Sequence, residues 1–240
     1  MIRRRDFIHQ KIKYSFNWNV ENHKAKMRQL YSNREEFKKL GIFLKRIYQG
    51  AIPDNLFNMK SIARASQFRI TGLKNSYVKS LSKKLIRKEK IKLYNEDYKL
   101  SKFAQNVFLN YQKNQIKKIP GHEPILKNIL IKDKDSIAIE VPIWYKNNVK
   151  NLTGHIDLIQ IDNNRIKVID YKPEGKFFYS LPQVATYGLL IKKLIKTEEL
   201  TCISFNKNKA WEYKPELLLS SDLKEYLMLH KVKRTWENYI

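Results

Sequence analysis

Two hydrophobic periodicities divide this chain. In the first half the apolar positions recur at helical spacing. From Ala25 to Tyr48 they fall on Met27, Leu30, Tyr31, Phe37, Leu40, Leu44 and Ile47, and Gly50 and Pro53 then break the pattern. Leu56 to Ala65 gives a short second helix, and FRITG reads as a turn with Thr71 as a candidate N-cap. Leu73 to Arg87 carries Leu73, Tyr77, Val78, Leu81, Leu85 and Ile86 on one stripe. Ile91, Leu93 and Tyr94 predict a strand, Asn95-Glu96-Asp97 a turn, and Tyr98 to Leu100 a second strand, together a small hairpin. Ser101 then opens a helix from Phe103 to about Gln115.

From about residue 121 the pattern turns to strands: Ser136 to Tyr145, Leu152 to Ile161 and Arg165 to Tyr171. Asp162-Asn163-Asn164 is a hairpin turn between the last two. Leu181 to Ile195 predicts a helix with Val184, Tyr187, Leu190, Ile191 and Leu194 on one face. Leu200 to Phe205 is a buried strand, Ala210 to Tyr213 an edge strand, and Leu223 to about Tyr239 a closing basic helix. This half reads as α/β with a mixed sheet.

Charge sharpens the division. Residues 1–120 hold 29 Lys/Arg and 8 Asp/Glu, a net of +21, whereas residues 121–240 hold 19 and 15, a net of +4. A basic excess confined to one half points to a polyanionic partner, nucleic acid or an anionic membrane surface. No apolar run approaches the roughly 18 residues of a spanning helix, and MIRRRDFIHQKIKY has no apolar h-region, which argues against a secretory signal. The single cysteine, Cys202, lies in the apolar run LTCISF and reads as a buried strand residue. One cysteine excludes an intrachain disulfide and a cysteine-ligated zinc or iron–sulfur site within one chain. An intracellular protein, cytoplasmic or nucleoid-associated, fits this usage, with no membrane partner.

The order helix, short helix, turn, basic helix, hairpin, helix over about 55–110 resembles the winged helix-turn-helix superfamily. That resemblance implies a recognition helix over about 72–88 that carries Lys74, Lys79, Lys83, Lys84 and Arg87 to DNA, with the hairpin as wing. The competing reading is a solvated lysine-rich helix in a structural module.

The chemistry concentrates between Thr153 and Tyr187. Asp157 and Asp170 sit near one end of two strands joined at 162–164, and Asp170 and Lys172 share strand parity. Two carboxylates beside an ammonium suit Mg²⁺, which takes oxygen ligands at about 2.0–2.1 Å, and phosphodiester hydrolysis by a metal-activated water. Burial beside a metal predicts a lowered pKa for Lys172. GHID, then thirteen residues from Asp157 to Asp170, then IDYK and QVATY resemble the RecB-type branch of the PD-(D/E)XK nuclease superfamily over about 120–205. The resemblance implies that Asp157 and Asp170 bind Mg²⁺ or Mn²⁺, that Lys172 acts on the attacking water, and that Gln183 and Tyr187 face the site. It also implies a restriction-endonuclease-like, mixed-sheet core flanked by helices over 119–240, preceded by the mainly helical winged-helix-like domain over 1–118.

Glu140, inside the apolar run AIEVPIW, is a candidate third acid, since a carboxylate there is costly unless paired or on a metal. His122 stands where some RecB-type nucleases carry a metal-binding histidine. His155, adjacent to Asp157, is expected on the opposite sheet face. The leading expectation is a Mg²⁺- or Mn²⁺-dependent deoxyribonuclease that lacks an iron–sulfur cluster and grips DNA mainly through residues 1–120. Its rivals are a DNA-binding winged-helix protein with a non-catalytic nuclease-fold domain, and an RNA-cleaving enzyme. The sequence leaves endonuclease against exonuclease, protein partners and oligomeric state open.

Overall fold

The protein is described by a computed structural model covering residues 1–29, 34–146 and 150–240. Its centre is a nine-stranded mixed sheet. The N-terminal 19 residues form a hairpin of β1 (Ile2–His9) and β2 (Ile12–Asn19), and β2 joins the sheet against β5 (Ser136–Lys146). β6 (Asn151–Asp162), β7 (Arg165–Tyr171), β8 (Leu200–Phe205), β9 (Ala210–Tyr213) and β4 (Ile91–Tyr94) follow in that order. The two-residue β3 (Ala63–Arg64) pairs in parallel with the first half of β6. β7 and β8 are parallel, joined through the helix α7 (Phe177–Ile195).

Helices cover both faces. One face packs against α2 (Glu35–Tyr48), α4 (Asn75–Arg87), α7 and α8 (Ser221–Leu229). The other packs against α5 (Lys99–Lys113) and α6 (His122–Lys132). β7 shows the logic: Ile166 and Val168 point into the first core, Ile169 and Tyr171 into the second. Asp170 shares parity with Ile166 and Val168, so it points toward α7. Among the described residues no helix is long and apolar enough to cross a membrane.

Several elements differ from the sequence expectation. The expected helix over 25–48 is interrupted, because Arg34 is extended (φ −84°, ψ 104°) and α2 starts after it. The short helix α1 (Val20–Gln29) precedes it, and Leu30 and Tyr31 of the predicted stripe lie outside the described residues. The expected helix over 56–65 is instead α3 (Asp54–Asn58) followed by β3. Thr71 is not an N-cap, since α4 begins after Lys74. The wing hairpin does not form: β4 pairs with β9, and Tyr98 to Leu100 opens α5. Leu100, Ala104 and Val107, at helical spacing, are buried against α6, and this packing outweighs the strand-like look of the segment. β9 is therefore interior, and the sheet's edges are β1 and β4.

Two further elements were absent from the sequence reading. The β1–β2 turn is Gln10-Lys11, both with positive φ (48° and 71°), a type I′ geometry usually marked by Asn-Gly. The helix α6 carries Ile125, Leu126, Ile129 and Leu130 on its buried face. The expected closing helix over 223–239 stops at Leu229. Lys231 adopts φ 53°, and a short 3₁₀ turn over Thr235–Asn238 then buries Trp236. A division at 118–119 cuts across the sheet, since β1, β2 and β4 precede it and β5 to β9 follow it.

Candidate active site

β6 is longer than β7. Its second half pairs with β7 from Leu158 to Asp162, and its first half takes β3 at Leu152 and Thr153. The segment Gly154–Asp157 lies between those pairings. There the Asp157 side chain replaces a ladder bond: its Oδ2 accepts the Tyr171 backbone N–H at 2.9 Å. Across β6, Glu140 stands between the pairs Ile139↔Leu158 and Val141↔Ile156, which puts it on the rung of Asp157.

The strands are irregular at that rung. Ile139 and Leu158 pack into the α5–α6 core, yet Val141 and Ile156, two residues away, pack into the α7 core. Alternation therefore breaks at Glu140 and Asp157. Glu140 itself is left-handed at φ 50°, a conformation that a residue with a Cβ holds at a cost of about 1–3 kcal/mol. Pro142, with no N–H to extend a ladder, stands two residues on, and β2 pairs with β5 only at Ala138 and Ile139.

One oxygen or nitrogen each from Glu140, His155 and Asp157 lies within 4.8 Å of the others. His155 Nε2 is 3.6 Å from Glu140 Oε2. The expectation that His155 faces away from Asp157 is therefore corrected. Residues two apart in a strand share a face, and Ile156 stands between the two, so ordinary strand parity puts His155 with Asp157. Its signal was available in the His-x-Asp spacing of GHID. Burial, with His9 and Arg64 nearby, lowers the His155 pKa to about 3, so the ring is neutral and can ligate.

Asp170 and Lys172 form the other half of the site. Lys172 Nζ is 2.6 Å from Asp170 Oδ2 and donates to Gln183 Oε1 at 3.1 Å. Gln183 Nε2 in turn donates to the Tyr187 hydroxyl at 3.4 Å, one turn along α7. Burial works against the Lys172 charge, but Asp170 and Asp157 outweigh it and hold the pKa above the ordinary lysine value. The carboxylates alone therefore favour the ammonium, and the expected lowering concerns Lys172 beside a bound ion. His122, at the start of α6, donates from Nε2 to the Tyr171 carbonyl at 2.9 Å and lies 3.8 Å from Asp157 Oδ2. Lys74, at the N-cap of α4, and Lys79, Lys83, Lys84 and Arg87 along it are all exposed, with Lys84 3.6 Å from Asp222.

The acids are crowded. Burial, then Asp170 and Glu140, push the Asp157 carboxyl well above the carboxylate range. Burial, then the charges of Asp170 and Glu123, raise Glu140 to about 7. Glu140 Oε2 and Asp170 Oδ1 are buried without a hydrogen-bond partner among the described residues. Orphaned acceptors of this kind are costly unless a cation meets them. Two ligands on opposite sides of an octahedral Mg²⁺ stand about 4.2 Å apart, so the Glu140–His155–Asp157 cluster has the size for a divalent ion.

The sequence model of the PD-(D/E)XK nuclease superfamily matches residues 73–229, well over half of the chain. The chain belongs to that superfamily. Its mixed sheet flanked by helices is consistent with the superfamily's restriction-endonuclease-like fold, and PD-(D/E)XK nucleases generally use divalent metal ions. No curated protein matches in sequence. The crystal structure of SSO0001 aligns at 16% identity over 67% of this chain and 88% of that one, with a TM-score of 0.29. The superfamily match begins after β1, β2 and β3, so the hairpin and the strand beside Gly154–Asp157 lie outside it.

The glycine of the Gly-x-x-Asp block has a packing reason. A Cβ on Gly154 would lie 2.5 Å from Tyr187 Cε1, a ring with no exposure. Gly154→Ala is expected to cost about 1–3 kcal/mol and to push the Tyr187 hydroxyl off Gln183. The thermal midpoint falls and cleavage falls with it. Unchanged stability and cleavage would show that Tyr187 is free to move.

Proposed function

We propose that this chain is a metal-dependent nuclease that hydrolyses DNA phosphodiester bonds, of the RecB-type branch. The observation that carries the reading is the set of buried, unpartnered carboxylate oxygens on β5 and β7, the two strands that flank β6, beside a lysine held as an ammonium. The blocks Gly154-His-Ile-Asp157, Asp170-Tyr-Lys172 and Gln183-x-x-x-Tyr187 support the branch. The basic first half supports a nucleic acid, and the basic helix α4 starts beside the site, where Asn75 Oδ1 accepts the Tyr179 hydroxyl at 2.8 Å.

Glu140, Asp157 and His155 would hold the ion, with Asp170 facing it from β7. A bound divalent cation polarises a phosphoryl oxygen and acidifies a water. The chain's own residues do the rest. The Tyr171 N–H fixes the Asp157 carboxylate. Asp170 and Gln183 fix the Lys172 ammonium, which donates to the attacking water or to the phosphate and keeps its proton. Tyr187 fixes Gln183. A nitrogen donor in the cluster favours Mn²⁺ over Mg²⁺. After chelation by EDTA cleavage is expected to vanish, and Mn²⁺ to restore it at lower concentration than Mg²⁺. In His155→Ala that preference shrinks. No cutting of linear, circular or single-stranded DNA with either ion would defeat the proposal, and cutting of RNA alone would move it to RNA.

A further inference from the structure

The mouth of the site contains a cation that the site itself does not use. Arg69, His122, Lys172, Glu174, Lys176 and Tyr179 are among the residues that line a cavity of about 230 Å³. Arg69 lies outside the superfamily match at 73–229. Its backbone is pinned on both sides. Phe68 is buried and its ring packs on Tyr239 at 5.5 Å, and Ile70 has no exposure and donates its N–H to the Tyr179 carbonyl at 3.0 Å. The Arg69 side chain is exposed and makes no hydrogen bond or ion pair among the described residues.

The other cations of the cavity are committed. Lys172 is held by Asp170 and Gln183. Lys176 is 3.0 Å from Glu174, an exposed pair of little strength. His122 has burial as the first cause of a lowered pKa and spends Nε2 on the Tyr171 carbonyl. A guanidinium offers a planar fork of donors that matches two phosphate oxygens. Pinning the backbone on both flanks lowers the ordering cost of presenting it.

We propose that Arg69 binds a backbone phosphate of the nucleic-acid substrate, so that the cavity at the site mouth is a phosphodiester subsite supplied by the loop before α4. This rests on the nuclease reading for its location and on the loop geometry for its residue. Arg69 is a substrate-binding residue here, with no part in the ion's coordination.

The test compares wild type, Arg69→Ala and Arg69→Lys in the full chain. Binding of a fluorescein-labelled DNA oligonucleotide, single-stranded or duplex, and of an RNA of the same sequence is followed by anisotropy in EDTA. Cleavage is followed with Mn²⁺. Arg69→Ala is expected to weaken binding about 10- to 100-fold and to raise KM more than it lowers kcat. It should also reduce the slope of log affinity against log salt by about 1. Arg69→Lys recovers the slope and part of the affinity. The thermal midpoint barely moves, since Arg69 makes no hydrogen bond or ion pair among the described residues and its charge acts on Glu174 only at exposed surface. Wild-type affinity and salt slope in Arg69→Ala would overturn the subsite while leaving the nuclease standing. So would a loss of binding that tracks a fall in thermal midpoint. Binding that depends on Arg69 without cutting under any condition would keep the subsite and end the nuclease reading. Absence of binding by the wild type would end both.

Discussion

Lys172→Ala is expected to lower the cleavage rate by about 10²–10⁴-fold, the range for losing a positioned proton-handling or charge-stabilising group. The ammonium occupies one point, fixed by Asp170 Oδ2 at 2.6 Å and Gln183 Oε1 at 3.1 Å. Lys172→Arg should fail as well, because a planar fork does not fit a socket built for a compact ammonium. The substitution also leaves the buried Asp170 without its cation, and breaking a buried pair costs about 3–5 kcal/mol when the remaining charge cannot neutralise. Some of the lost activity could therefore be lost folding. The double variant Asp170→Asn/Lys172→Ala separates the two, since it leaves no buried charge at that position. Its thermal midpoint should recover toward wild type while cleavage stays absent. A double variant that regained cutting along with stability would show that Lys172 serves only the fold.

How much of this was readable depends on which forces set each element. The β6–β7 hairpin was legible because its turn, Asn163-Asn164, uses residues that tolerate left-handed backbone, and both adopt it (φ 46° and 61°). The Asp170–Lys172 contact was legible because parity survives along β7. Glu140 stood out because an acid in an apolar strand needs a reason. His155 belongs with Asp157 by plain strand parity, since the two stand two residues apart, whereas the left-handed Glu140 carries no sequence signal. The β1–β2 hairpin was missed because Gln-Lys is a poor marker of a type I′ turn. β1 also carries Arg3, Arg4, Arg5 and Asp6, the charges that keep an edge strand from pairing with other chains. The hairpin of the expected wing was lost to long-range pairing: Ile91 to Tyr94 finds β9 more than a hundred residues away, and only the assembled sheet reveals that partner.

Glu140→Gln is expected to stabilise the metal-free protein at alkaline pH while removing its response to metal. The Glu140 carboxyl is raised from its ordinary value of 4.5 to about 7, first by burial and then by Asp170 and Glu123. A raised acid leaves folding stability intact below the unfolded value. It then subtracts from stability as pH climbs through the folded value, because the unfolded chain ionises first. The window is therefore pH 4.5 to about 7, and the full cost by pH 8 is on the order of 3 kcal/mol. Glutamine keeps the size of the side chain and the same left-handed strain at φ 50°, so the substitution isolates the charge. Because the Glu140 charge also raises the Asp157 carboxyl, the gain belongs to the pair. Chemical denaturation of both proteins in EDTA should show Glu140→Gln more stable at pH 8 and the difference closing by about pH 5. Adding Mn²⁺ at pH 8 should raise the wild-type midpoint, because the ion then meets an ionised Glu140, and should barely move that of the variant. A stability difference of the same size at both pH values would place its origin in packing, and the crowded carboxylates would no longer be the cost that a bound cation offsets.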